Sequence, residues 1–205
     1  MEFKSPIVIT TETYYPQEVN WIIALFEAGL ERLHLRKPQW DLQQCNALLN
    51  AIPVEYHKQI VVHQHHALAS KFHLGGIHLR EKDRNEIKID LAGYCRKQQQ
   101  KGKTVSTSFH QLEPVITKGD YFNYSFLSPV FDSTSKQGYP GKGFNVMNLA
   151  QTIVALGGIT STTITQTKAL GYTGVAVLGD VWQHSSPLDA YLALQKSWKN
   201  QAYEN

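Results

Sequence analysis

The chain has 205 residues, 42% of them hydrophobic and 18% charged, with a formal net charge of +3. This length supports one sizeable core, most simply one domain over 1–205, and no apolar run is long enough to span a bilayer. With no basic run and no interleaved aromatic platform, the chain points away from nucleic acid, while its mild positive balance suits small anionic ligands.

Met1-Glu2-Phe3-Lys4 leads straight into a strand-like segment, which predicts no signal peptide. Cys45 and Cys95 form neither a CxxC nor a zinc pattern. Two isolated thiols predict buried or idle cysteines in a reducing cytoplasm.

In chain order, Ile7-Val8-Ile9-Thr10 reads as the first strand. A helix follows from about Gln17, with Trp21, Ile22, Leu25 and Phe26 on one face and Gly29 as its stop. Arg32 to Arg36 is the second strand, ended by Pro38, and Leu42 to Leu49 the next helix. Gln59 to His63 is strand three, Ala67 to Phe72 a short helix and Gly76 to Leu79 strand four. A charged loop then precedes a helix from about Asp90 to Gln100. Thr104 to Thr107 is strand five, Tyr121 to Leu127 strand six and Ile153 to Leu156 strand seven. Thr160 to Leu170 is a helix, Gly174 to Leu178 strand eight and Leu188 to Trp198 the closing helix. About eight strand–helix alternations without a linker predict an α/β protein, a single (β/α)8 TIM barrel. No GxGxxG follows the first strand, which removes the support an open doubly wound sheet would need.

A barrel of this kind works at the C-terminal ends of its strands, so the chemistry is sought there. The strand-six exit, Ser128 to Gly138, carries Ser133, Ser135 and Lys136: hydroxyls and a cation suited to phosphate or pyrophosphate. The longest irregular stretch, about Phe131 to Asn145, continues from it. Gly157-Gly158 after strand seven and Gly179-Asp180 after strand eight are paired turns whose backbone N–H groups can cradle a phosphate. His34 and Arg36 share one face of strand two, and an inward arginine needs an anion or a carboxylate partner. His34, His63 and His78 form a trio of barrel-facing imidazoles. Packed, hydrogen-bonded core histidines are favoured over a zinc site, since no acidic ligand accompanies them. Ser108 and His110 follow strand five, Gln64 stands beyond His63, and Asp83 is the best single carboxylate for Mg²⁺. No Ser-His-Asp order or nucleophile elbow is present.

Taken together, these segments resemble the thiamine-phosphate synthase and thiazole tautomerase superfamily over nearly the whole chain. Leu33-His34-Leu35-Arg36 resembles its strand-two Q-L-R, and Gly76-Ile77-His78-Leu79 with Asp83 resembles G-V-H-L-G-Q-x-D. Ser108 to Glu113 is similar to S-x-H-x-x-E. Asp120-Tyr121 with Ser128 to Lys136 is similar to D-Y followed by G-P-I-F-x-T-x-T-K. Val154 to Ile159 and Gly174 to Val177 match V-A-I-G-G-I and G-V-A-V.

The resemblance implies that an aminopyrimidine pyrophosphate ionises and that a thiazole phosphate nitrogen captures the carbocation. It implies Arg36, Ser133, Ser135 and Lys136 on pyrophosphate and Asp83 on Mg²⁺. Ser108 would face the pyrimidine or pyrophosphate, and Gly158 and Gly179 would hold the thiazole phosphate. Further ligand contacts are expected from His34, His63 and Gln64. The departures are specific. The synthases' I-N-D at the end of strand three reads Val62-His63-Gln64, so one magnesium carboxylate is absent. The strand-two glutamine is His34. The lysine expected two residues beyond the arginine falls on Pro38, which leaves open whether Lys37 compensates, and the strand-eight serine falls on Gly179. The tautomerases' catalytic histidine falls on Pro129. Three readings follow: a synthase, a tautomerase, or a non-catalytic binder that kept the phosphate sites. Small phosphorylated thiazole and pyrimidine compounds are the expected partners, and a homo-oligomer is compatible with the chain.

Overall fold

The computed structural model describes residues 3–87, 90–132 and 140–200. Strands and helices alternate: β1 (Ile7–Ile9), α1 (Glu18–Glu27), β2 (Leu33–Leu35), α2 (Leu42–Ala51), β3 (Ile60–Val62), α3 (Ala67–Lys71) and β4 (Gly76–Leu79). Then come α4 (Glu81–Glu86), α5 (Leu91–Gln100), β5 (Thr104–Phe109), α6 (Leu112–Lys118) and β6 (Tyr124–Leu127). The chain ends with β7 (Ile153–Leu156), α7 (Ile164–Ala169), β8 (Gly174–Val177), α8 (Gly179–Trp182) and α9 (Pro187–Asn200). Each strand pairs in parallel with its neighbour in sequence, and β8 closes onto β1. The fold is the expected (β/α)8 barrel.

Alternation along each short strand sorts the side chains. Val8, Leu33, Leu35, Ile60, Val62, Ile77, Leu79, Val105 and Leu127 face outward into the layer of helices. Ile7, Ile9, Tyr124, Phe126, Val154 and Ala176 pack with Phe3 inside the barrel. Local signals fix the helix ends. Asp41 and Gln44 form a capping box on α2, at 2.8 and 3.0 Å. Gly29, with φ +90°, ends the segment of α1 where an L side chain would be strained.

The structure corrects several element assignments. The charged stretch after β4 is helical as α4, where Asp83 accepts from the Arg80 backbone N–H at 2.8 Å and so caps the turn. β5 runs two residues further, to Phe109, and helices α6 and α8 were not expected. Gly119–Tyr121 is a 3₁₀ turn, which shortens β6 at its start, and α7 occupies only the centre of the expected 160–170 span.

Lys37 is not free to replace the missing strand-two lysine. Its ammonium is fully buried and donates to both Glu18 oxygens at 2.7 and 2.6 Å, to the Thr13 carbonyl at 2.8 Å and to Thr11 Oγ1 at 3.2 Å. The pair ties the loop after β2 to the start of α1 and to the loop after β1. Burial pushes the Glu18 carboxyl up and the Lys37 ammonium down, each partly opposed by the other's charge. Removing one partner strands the other as a buried charge. Lys37→Met or Glu18→Leu alone is therefore expected to cost about 3–5 kcal/mol, and the double substitution less than either single change. Urea unfolding of the three variants measures this.

Candidate active site at the barrel mouth

The strands' C-terminal ends open into a cavity of about 440 Å³. Ile9, Phe126, Leu156 and Ala176 contribute apolar lining, and Arg36, Arg80, Ser108, His63 and His78 are among its polar residues. Gly157, Gly158 and Gly179 line it on the β7–β8 side. Because the strands follow one another around the barrel, β2 to β4 lie across the mouth from β6 to β8. The guanidinium groups therefore face the glycine turns.

Gly157 and Gly158 take φ of +93° and +66°. A Cβ on Gly158 would lie 2.4 Å from the Asp132 carbonyl oxygen and 2.7 Å from Phe131 Cβ. The strand-six exit is pressed against this turn, with Val130 N–H donating to Leu156 O at 3.0 Å and Phe131 N–H to Gly157 O at 3.1 Å. Thr163 Oγ1 donates to Gly158 O at 2.8 Å, fixing the turn from below. The Gly158 and Gly179 N–H groups have no acceptor among the described residues. Burial raises the Asp180 carboxyl beside these turns.

The Thr10 hydroxyl accepts from the Arg36 N–H at 2.9 Å and donates to the Arg36 carbonyl at 3.1 Å, and Arg36 Nη1 meets Glu12 Oε1 at 2.6 Å. Arg80 forks onto Asp83 through Nε to Oδ2 at 2.9 Å and Nη2 to Oδ1 at 2.8 Å. Ser108 is steadied from behind by Arg84, which donates to its carbonyl at 2.7 Å. His110 lines the cavity, with Nδ1 at 3.0 Å from the Ser128 carbonyl and Lys142 Nζ on its own carbonyl at 2.9 Å.

The expected site residues thus separate into groups. Arg36, Ser108, His63, Gly158 and Gly179 come together around one cavity. His34 lies beneath it, fully buried. Gln64 turns away and donates to the Lys37 carbonyl, and Asp83 is engaged by Arg80, so neither lines the cavity. Ser133, Ser135 and Lys136 lie outside the described residues. Mg²⁺ needs oxygen ligands with lone pairs directed at the ion, usually one or two carboxylates. Asp83 and Gln64, as held here, do not fit that requirement. Cys45 and Cys95 are free and buried, as expected.

Glu12 and Tyr124 were missed. Glu12 lies beyond a three-residue strand and had no local signal. Tyr124 had one: it alternates with Phe126 on the inward face of β6.

The histidine trio is packed and hydrogen-bonded, as favoured from the sequence. His34 Nδ1 is 2.8 Å from His63 Nε2, and His34 Nε2 is 2.6 Å from the Tyr124 hydroxyl. His78 lies 2.9 Å from both Ser106 Oγ and Ser108 Oγ. The three could offer nitrogens within 4.8 Å of one another. However, both nitrogens of His34 and His78 are occupied, and the His63 and His78 rings stack at 4.0 Å rather than radiating from a centre. Burial keeps all three imidazoles neutral, with His78 lowered to about 3.

A family model of thiamine monophosphate synthase matches residues 7–181. Among solved structures, a thiamine phosphate pyrophosphorylase from Bacteroides thetaiotaomicron is 30% identical with a TM-score of 0.68, over 97% of this chain and 95% of that one. A thiamine phosphate pyrophosphorylase from Pyrococcus furiosus shares 18% identity with a TM-score of 0.78 over 96% of each chain. A 3-hexulose-6-phosphate synthase shares 14% with a TM-score of 0.63, over 94% of this chain and 99% of that one. These last two show the fold alone. No curated protein matches significantly. The family match runs from the first strand to the turn after the last, taking in both glycine turns and the arginines that face them, and the chain belongs to the thiamine monophosphate synthase family.

Proposed function

We propose that this chain joins an aminopyrimidine pyrophosphate to a thiazole phosphate, giving thiamine phosphate and pyrophosphate. The carrying observation is one cavity with Gly158 and Gly179 N–H groups that have no acceptor among the described residues on the β7–β8 side and two guanidinium groups on the β2–β4 side. That arrangement suits two anionic groups held apart, with an organic ring between them. In the reaction the bond from the pyrimidine methylene to the pyrophosphate oxygen breaks and leaves with its electron pair. The thiazole nitrogen then forms the new C–N bond. Gly158 and Gly179 N–H groups would hold the thiazole phosphate. Arg36 and Arg80 would stabilise the leaving charge together with Lys136, Ser133 and Ser135, while Ser108 orients the pyrimidine. Phe126 and Leu156 keep water from the cation. No step is assigned to Mg²⁺, since Asp83 and Gln64 do not fit it.

That misfit favours a second reading, a thiazole tautomerase, which needs an acid/base group and no metal. Incubation with both phosphorylated precursors, with and without Mg²⁺, separates the readings. Thiamine phosphate supports the synthase. Isomerised thiazole alone supports the tautomerase, and neither product overturns both.

Two further outcomes are expected. An anion reaching Arg36 must compete with Glu12. Arg36→Ala should therefore weaken pyrophosphate binding by on the order of tenfold, about 1.4 kcal/mol, and Glu12→Gln should tighten it. Calorimetry with inorganic pyrophosphate measures both, and a weaker Glu12→Gln complex would exclude this competition. Titration of the ligand-free protein with Mg²⁺ should show no tight binding, and Asp83→Ala should leave that result unchanged. Tight binding lost in Asp83→Ala would restore this carboxylate as a metal ligand.

A further inference from the structure

Two separate sets of hydrogen bonds fill the polar half of the barrel interior. One joins Ser106 and Ser108 through His78. The other runs from the Tyr124 hydroxyl to His34 Nε2 at 2.6 Å, and from His34 Nδ1 to His63 Nε2 at 2.8 Å. This second set crosses the barrel, since Tyr124 stands on β6, His34 on β2 and His63 at the end of β3. Tyr124 and His34 are buried beneath the cavity, and His63 lines it. His63 Nδ1 has no partner among the described residues and is not one of their enclosed unpaired polar atoms, which leaves it facing the cavity.

The closed end of this set decides the direction of every bond in it. The Tyr124 hydroxyl makes one hydrogen bond among the described residues, to His34 Nε2. Burial raises the phenol to about 12, so it keeps its proton, and a buried O–H with one partner donates to that partner. His34 Nε2 is then the accepting nitrogen. Burial, and after it the neighbouring imidazole and guanidinium charges, holds His34 and His63 well below the usual imidazole range. Each ring therefore carries a single proton. That of His34 sits on Nδ1 and is donated to His63 Nε2, which puts the His63 proton on Nδ1.

We propose that Tyr124 and His34 are positioning residues that fix His63 as a neutral Nδ1–H donor at the cavity floor, and that this donor selects a ligand ring with an in-plane nitrogen lone pair. A ring N–H or an ammonium at that point would meet another donor and be rejected. Anionic oxygens have charge-assisted partners in Arg36 and Arg80 elsewhere in the same cavity. The His63 ring also stacks on His78 at 4.0 Å, so the direction of its N–H is held as well as its tautomer. Phe126, which lines the same cavity, offers an apolar surface to a flat ring. Naming that ring as the aminopyrimidine rests on the function proposed above, whereas the tautomer does not.

The first test needs no ligand. In ¹⁵N NMR of histidine-labelled protein at pH 7, His34 and His63 should both show the Nδ1-protonated tautomer. Tyr124→Phe keeps the ring and removes the donor that sets the direction. In that variant the Nδ1–H fraction of His63 should fall to about half, and the Kd for 4-amino-2-methylpyrimidine should rise by the same factor, about twofold. His78 belongs to the other set and should keep its tautomer, whereas a general loosening of the interior would move it too. The pyrimidine should shift the His63 signal, and 3-methylaniline, which has the same shape without ring nitrogens, should bind both proteins alike. An Nε2-protonated His63 in the unmodified protein, or a His63 tautomer unchanged by Tyr124→Phe, would overturn the positioning. A pyrimidine that leaves the His63 signal unmoved, or that binds both proteins equally, would overturn the selection. The Nδ1–H tautomer in a protein that makes no thiamine phosphate would overturn only the synthase reading.

Discussion

Closing eight short parallel strands into a barrel sends every second side chain into an interior that water does not fill, and the rest of the molecule follows from that constraint. A polar group placed there must find a partner or cost about 1–3 kcal/mol in lost hydration. The interior answers in two ways. Around β1, β7 and β8 it is filled by Ile7, Ile9, Val154 and Ala176. From β2 to β6 it is filled by imidazoles and hydroxyls that satisfy one another. The polar side needs registry: His78 lies opposite Ser106 in the strand ladder, which sets the two side chains within bonding reach.

The same arrangement divides the site above it. Glycine turns whose Gly158 and Gly179 N–H groups have no acceptor among the described residues stand on the apolar side, and arginines held by carboxylates stand on the polar side. The carboxylates serve two purposes. They fix the guanidinium planes before a ligand arrives, and they must be displaced or shared when an anion binds, which moderates affinity. Where the family's metal-binding carboxylates are expected, this chain places an arginine–aspartate fork and a glutamine turned to backbone.

Much of this was legible in the sequence because it depends on local rules. Short apolar, mostly β-branched runs at Ile7 to Ile9, Gly76 to Leu79 and Gly174 to Val177 name strands directly. Glycines directly after strands seven and eight mark the turns that line the cavity, and the inward pairing of His34 with Arg36 follows from strand geometry. The ordered motifs added the family. Helices α4 and α6 were not legible, because Glu81 to Glu86 carries no apolar stripe and Pro114 interrupts the α6 pattern. α4 packs on β4 and β5, and α6 on β5.

The sequence by itself determined the eight-unit order, the inward or outward sense of each strand residue and the chemistry available at the strand ends, since these follow from spacing and residue type. Which groups meet was decided only by the tertiary structure. Lys37 and Glu18 are 19 residues apart and His34 and Tyr124 are 90 apart, and no local rule couples them. Barrel closure and strand register put Lys37 under α1 instead of at the mouth. They turn Asp83 onto Arg80, and they bring His63 and Ser108 to the same cavity.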